Sequence, residues 1–170
     1  SIGQPFVFAG TVLAIATIAG GGAMSEAANT TTEQTTSYLD VAERLRRNPP
    51  KSPSEVAEKI GVTLKKSDQV FEGTGTGGDG VDFAKLVFRF LPSGEPNVFV
   101  ITLPDGTGPS PDTVRASFDD LRLIAAPRGR SEEEEMLIGR NEYWGTLSFG
   151  FPVKAPNNLR TIVFNYVRKK

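Results

Sequence analysis

The chain has 170 residues, with 19 basic against 20 acidic side chains, a net charge of −1, and neither cysteine nor histidine. Its length suits one ordinary domain with an appendage, and its balanced charge supplies no global field to draw nucleic acid. Without Cys and His, structural zinc sites, iron–sulfur clusters, disulfides and every triad with an imidazole base are excluded, or close to it.

The chain opens at Ser1, which is expected of a processed product. Pro5 to Met24 reads PFVFAGTVLAIATIAGGGAM, a stretch without a charge. A bilayer core of ~30 Å needs ~20 apolar residues in a helix, so residues 1–24 are expected to form a single membrane anchor helix. Pro5 suits a first helical turn and Gly20-Gly21-Gly22 a helix end. Gly10 and Ala14, and again Ala16 and Gly20, are four apart. Small residues at this spacing let a second helix approach closely in lipid, so these are the candidate helix-packing positions.

Residues 25–72 are expected as a polar connector with two short helices. The tract 25–36 is too poor in apolar side chains to bury a core. SYLDVAERLRR from Ser37 then carries Leu39, Ala42 and Leu45 on a helical repeat, and Asn48-Pro49-Pro50 stops it. Ser52 caps the second helix, with Pro53 at its first position, Glu55 completing a capping box, and Gly61 at its end. The segment EVAEKIGVTLKKSD resembles the first helix and turn of a helix-turn-helix, but a glycine loop follows where a recognition helix should stand.

Residues 73–80 contain a literal G-x-G-x-x-G. The run after it, VDFAKLVFRFL, has a strand pattern, so the glycines are expected as a loop entering a β domain rather than a dinucleotide cradle. From Val81 the period becomes two. Leu86, Phe88 and Phe90 alternate with Lys85, Val87 and Arg89, and Val98 to Leu103 is a nearly continuous apolar strand. Further strands are expected at Thr113 to Phe118, Leu121 to Ala125, Tyr143 to Phe151 and Leu159 to Val167. The fold class is therefore mainly β: residues 81–170 as a small antiparallel β-sandwich or partly open barrel behind a transmembrane helix. SFDDLRLIAAP shows a short likeness to strands of jelly-roll binding modules.

Three clusters are candidates for chemistry or contact. Asp119-Asp120, with Asp112, offers carboxylates, but neighbours on a strand point to opposite faces. Glu132, Glu133, Glu134 and Glu135 form an acidic run that fits a basic partner or a solvated loop. Tyr143 and Trp144 suit a partner contact or a membrane interface. No catalytic, cofactor-binding or metal-ligating residue is expected, and the chain reads as non-enzymatic.

The build of one pass, no cofactor ligands and a small β domain is similar to nucleus-encoded accessory subunits of organelle energy complexes. That likeness implies a structural accessory subunit, with a photosystem of the plastid thylakoid as first setting and the mitochondrial inner membrane as second. Its partners would be other subunits and membrane lipid, with no nucleic acid. No intrinsic cofactor is expected, although peripheral chlorophyll, carotenoid or lipid contact fits an anchor. The alternative is a membrane-tethered binding module for a carbohydrate, lipid or peptide, in which Tyr143 or Tyr166 lines an aromatic patch.

Overall fold

The computed structural model describes residues 38–167. The expected anchor over 1–24, with Gly10, Ala14, Ala16 and Gly20, lies outside the described residues. Among the described residues no helix is long and apolar enough to cross a membrane.

Helix α1 (38–47) buries Tyr38, Val41, Ala42 and Leu45, the stripe that a 3.6-residue repeat places on one side. It stops before Pro49 and Pro50, since proline offers no backbone donor and pushes the residue before it out of helical geometry. Helix α2 (Pro53–Ile60) begins as the capping rule requires: the Ser52 hydroxyl accepts from the Glu55 backbone N–H at 3.2 Å. It ends on Gly61 in the left-handed region, φ 89°.

The glycines of 73–80 are explained by that helix end. A Cβ on Gly61 would lie 2.5 Å from the Gly78 nitrogen, which donates to the Ile60 carbonyl at 3.0 Å. Bare backbone on both sides lets the tip of a hairpin close on the last turn of α2. Only part of the stretch is loop. Strand β2 (Val70–Thr76) contains Gly73 to Thr76, and the turn itself is confined to the residues before β3 (Asp82–Phe90).

Strands also begin earlier than expected. The three-residue β1 (Lys65–Ser67) pairs with β2 inside the stretch read as connector. β4 (Pro96–Thr102) follows β3. Helix α3 (Pro111–Ser117) then stands where a strand was expected over Thr113 to Phe118. The Ser110 hydroxyl accepts from the Thr113 N–H at 3.2 Å, and Pro111 fills the first turn. This is the same start signal as Ser52-Pro53, and it outweighs the β-branched Thr113 and Val114. The chain closes with β5 (Arg122–Ala125), β6 (Glu135–Glu142), β7 (Gly145–Pro152) and β8 (Thr161–Tyr166).

The eight strands form one open antiparallel sheet in the order β1-β2-β3-β4-β8-β7-β6-β5. Two four-strand meanders thus meet where β4 pairs with β8. This corrects the expected sandwich or barrel. The apolar face of the sheet is closed by helices instead of by a second sheet, which is the other stable way to bury it. Phe71↔Phe88, Phe88↔Phe99, Phe99↔Phe164 and Leu147↔Phe164 are cross-strand neighbours on that face. The buried cluster joins these rings to Leu45, Val56, Ile60 and Val114 of the helices, and Phe118 meets Phe149 at 4.9 Å between ring centroids. Each fully buried side chain of this size contributes roughly 1.5–3 kcal/mol. Seven residues of the core, Tyr38, Leu39, Val41, Ala42, Leu45, Val56 and Ile60, therefore come from the helices of the expected connector.

The alternate residues face the other way. Val87, Val100 and Val163 lie side by side across β3, β4 and β8, half-buried, and no helix covers them among the described residues.

Candidate functional site

Strands β6 and β7 are joined by a two-residue turn, Tyr143-Trp144, with Glu142 paired to Gly145. Gly145 is required there: its φ is 151°, and a Cβ would meet the Asn165 carbonyl oxygen of β8 at 2.0 Å. The close approach of β8 sends the two turn residues in different directions. Trp144 folds inward, 8% exposed, and its ring lies 5.4 Å from Phe164. Tyr143 stays outside, 80% exposed.

Both aromatic heads reach the end of α1. The last turn of a helix leaves carbonyls without helical partners, and such groups need donors from elsewhere. Trp144 Nε1 donates to the Arg46 carbonyl at 2.8 Å, and the Tyr143 hydroxyl donates to that of Arg47 at 3.2 Å. The Tyr166 hydroxyl, from the end of β8, donates to the Pro50 carbonyl. Burial, and then the charge of Glu55, push the Tyr166 hydroxyl well above its ordinary range, so it remains a donor at any physiological pH.

An ion network fastens the same corner. The Glu142 carboxylate is buried and lies 3.3 Å from Arg46 and 3.1 Å from Arg140. Arg46 also binds Glu43 at 2.7 Å. The Arg140 Nε is close to Glu142 but not aligned for a hydrogen bond, so this contact is electrostatic only.

Around these rings lies a cleft of about 350 Å³ lined by Pro49, Lys51, Pro96, Tyr143, Trp144 and Val167. Glu95 and Tyr166 complete its wall. Tyr143 and Tyr166, singled out from the sequence for an aromatic patch, therefore share one site with Trp144. Lys51, Glu95, Pro96 and Val167 carry no local signal of this. Trp144 and Arg46 are 98 positions apart and meet only where α1 packs against the sheet, while the pairing of β7 with β8 brings Tyr166 beside Trp144.

The acidic run falls elsewhere and is engaged within the chain. Glu133 binds Lys154 at 2.7 Å and Arg160 at 2.5 Å, and the hydrogen bond from Arg160, before that from Lys154, lowers its carboxyl to about 2. The Glu134 carboxylate accepts the backbone N–H groups of Arg128 and Gly129 at 2.7 and 3.0 Å. Glu135 accepts from the Thr161 hydroxyl at 2.9 Å, and burial raises its carboxyl above the ordinary range. Glu132 is exposed.

Asp119 and Asp120 lie in the turn between α3 and β5, where Asp120 has a φ of 60°. Among the described residues no three carboxylates are grouped to hold a metal ion. The arrangement at the cleft offers aromatic and proline faces with a charged rim, which is a means of binding. No family model matches the chain, and no curated protein or solved structure matches it.

Proposed function

We propose that the chain is a non-catalytic accessory subunit of a multi-subunit membrane complex, anchored by an N-terminal transmembrane helix and docked on other subunits through its β domain. The supporting observation is the uncovered face of the sheet. Val87, Val98, Val100 and Val163 form its apolar centre, with Glu72, Lys85, Arg89, Asn141 and Asn165 around it. An apolar patch inside a polar rim is the composition of a protein–protein interface.

A photosystem of the plastid thylakoid is the complex we would search first, with mitochondrial respiratory complexes second. Contact with chlorophyll, carotenoid or lipid would be peripheral. The test is sedimentation of gently solubilised native membranes, with the chain followed by mass spectrometry. Co-migration with a large complex in fixed proportion is the expected result. Migration as a small free protein would end this reading.

The cleft favours a second reading, a membrane-tethered module that holds a carbohydrate, lipid or peptide. On that reading, Tyr143→Ala removes ligand binding and leaves membrane association unchanged.

A further inference from the structure

We propose that the chain pairs with a second copy of itself along β5, the two strands running antiparallel about a two-fold axis so that one sheet continues into the other.

The open sheet has two edges, β1 and β5. Backbone N–H and C=O groups along an edge have a strand partner on one side only, and an unguarded edge is a template for another strand. The two edges are guarded differently. β1 is three residues long with Lys65 and Lys66 exposed, and lysines on an edge repel a strand of like charge. At the centre of β5 stand Leu123, 59% exposed, and Ile124, 40% exposed. Ile124 is also passed over by the β6 ladder, which shifts register between Leu123 and Ala125.

Charge selects the strand that fits. Asp119 and Asp120 precede β5 and Arg128 and Arg130 follow it, all four exposed. None of them forms an ion pair among the described residues. The other charges nearby are engaged within the chain. Arg115 donates to the Leu121 carbonyl, Arg140 to that of Asp119 and Arg122 to Asn141, while Glu134 accepts the N–H groups of Arg128 and Gly129. A strand that runs acidic, apolar, basic is complementary to its own reverse. An antiparallel copy sets the acidic end of each strand beside the basic end of the other, twice over, whereas a parallel copy sets like against like. A two-fold axis through Ile124 places Asp120 opposite Arg128 of the second copy, and Leu123 opposite its Ala125. The bulge and Pro127, which lacks an N–H, keep the pairing short. The contact is therefore small and the dimer weak, with a dissociation constant on the order of 100 μM.

The chain has no cysteine of its own, so one introduced cysteine reports on one position. Ile124→Cys lies on the axis and should give a disulfide-linked dimer on mild oxidation of the full chain in neutral detergent. Lys66→Cys, on the other edge, should give about tenfold less, because its two copies lie too far apart to bridge. Within the Ile124→Cys chain, Arg128→Asp sets acid against acid at both ends and should lower the yield about fivefold. Adding Asp120→Arg exchanges the two signs and should restore it. Asp120 has a φ of 60°, which Asn tolerates as well as Asp does. Asp120→Asn therefore leaves the turn intact and should lower the yield about twofold, a result that stands even if the double variant does not fold. Folding is read from Trp144, the one tryptophan of the chain. Equal yields at positions 66 and 124, as random collision or pairing through the anchor would give, overturn the proposal. So does the lack of a dimer at 124, a yield unmoved by both Arg128→Asp and Asp120→Asn, or a folded double variant that fails to recover. Failure to co-sediment with a membrane complex ends the accessory-subunit reading and leaves these outcomes as they are.

Discussion

The two faces of the sheet are built from the same strands and differ at every second residue. Toward the helices β4 and β8 present Phe99, Ile101, Ile162 and Phe164, all fully buried. Away from them they present Val98, Val100, Val163 and Asn165, half-buried or exposed, with Thr161 buried at the start of β8. The covered face carries large rings because three helices close over it, and a ring left in water would lose that contribution. The other face carries β-branched residues, which suit a pleated surface and tolerate partial exposure. One face thus holds the domain together, while no helix covers the valines of the other among the described residues.

The sharpest way to break that comparison is to truncate one residue on each side. Phe164→Ala empties a filled core site and should lower stability by about 3–5 kcal/mol, read from the urea midpoint at unchanged m-value. Next in size is the hairpin turn. Trp144→Phe keeps the ring in the core and removes the donor to the Arg46 carbonyl. The expected loss is about 1–2 kcal/mol, with faster hydrogen exchange at the end of α1 as its signature.

On the uncovered face Val163→Thr should change stability by less than about 1 kcal/mol, because threonine keeps the branched shape and the site is half-open. The same variant should loosen association with the proposed complex, read as a smaller co-sedimenting fraction. A cost equal to that of Phe164→Ala would mean the two faces are equally closed.

The smallest effect concerns pH. Burial raises the Glu135 carboxyl, so the folded chain holds that proton more tightly than the unfolded one. Stability from this group is therefore highest below its unfolded value and falls as pH rises through the folded one. Glu135→Gln should remove that slope, so the advantage of the variant grows above the carboxylate range and disappears in acid. Glu133 runs the other way. Its carboxyl is held near 2 by Arg160 and Lys154, so its support is present above the ordinary value of 4.5 and is lost as pH falls toward 2. It is fully exposed, and solvent screens the pair. Urea midpoints measured from mild acid to neutrality separate the two.

Legibility along the chain followed the range of the forces involved. The Asn48-Pro49-Pro50 stop, the Ser52-Pro53 start and the Gly61 end of α2 are local chemistry, and each is found where the pattern puts it. The alternation of Leu86, Phe88 and Phe90 likewise marks β3. Ser110-Pro111 carries the same start signal, yet a strand was expected over Thr113 to Phe118, where α3 stands. The edge strand β1 has only Lys65, Lys66 and Ser67, all exposed, and so no apolar period to announce it.

By itself, then, the sequence marked most of the segments that have a cap, a stop or an apolar period within a few residues, with the helix after Ser110-Pro111 as the exception. It also determined the mainly β class, and the lack of imidazole and thiol chemistry. Tertiary structure alone decided that helices, not a second sheet, close the apolar face, and that β8 returns beside β4. It also decided that Tyr143, Trp144 and Tyr166 converge on the end of α1. These are contacts between residues far apart in the chain. Side-chain period reports which residues face inward, and carries no information on what they face.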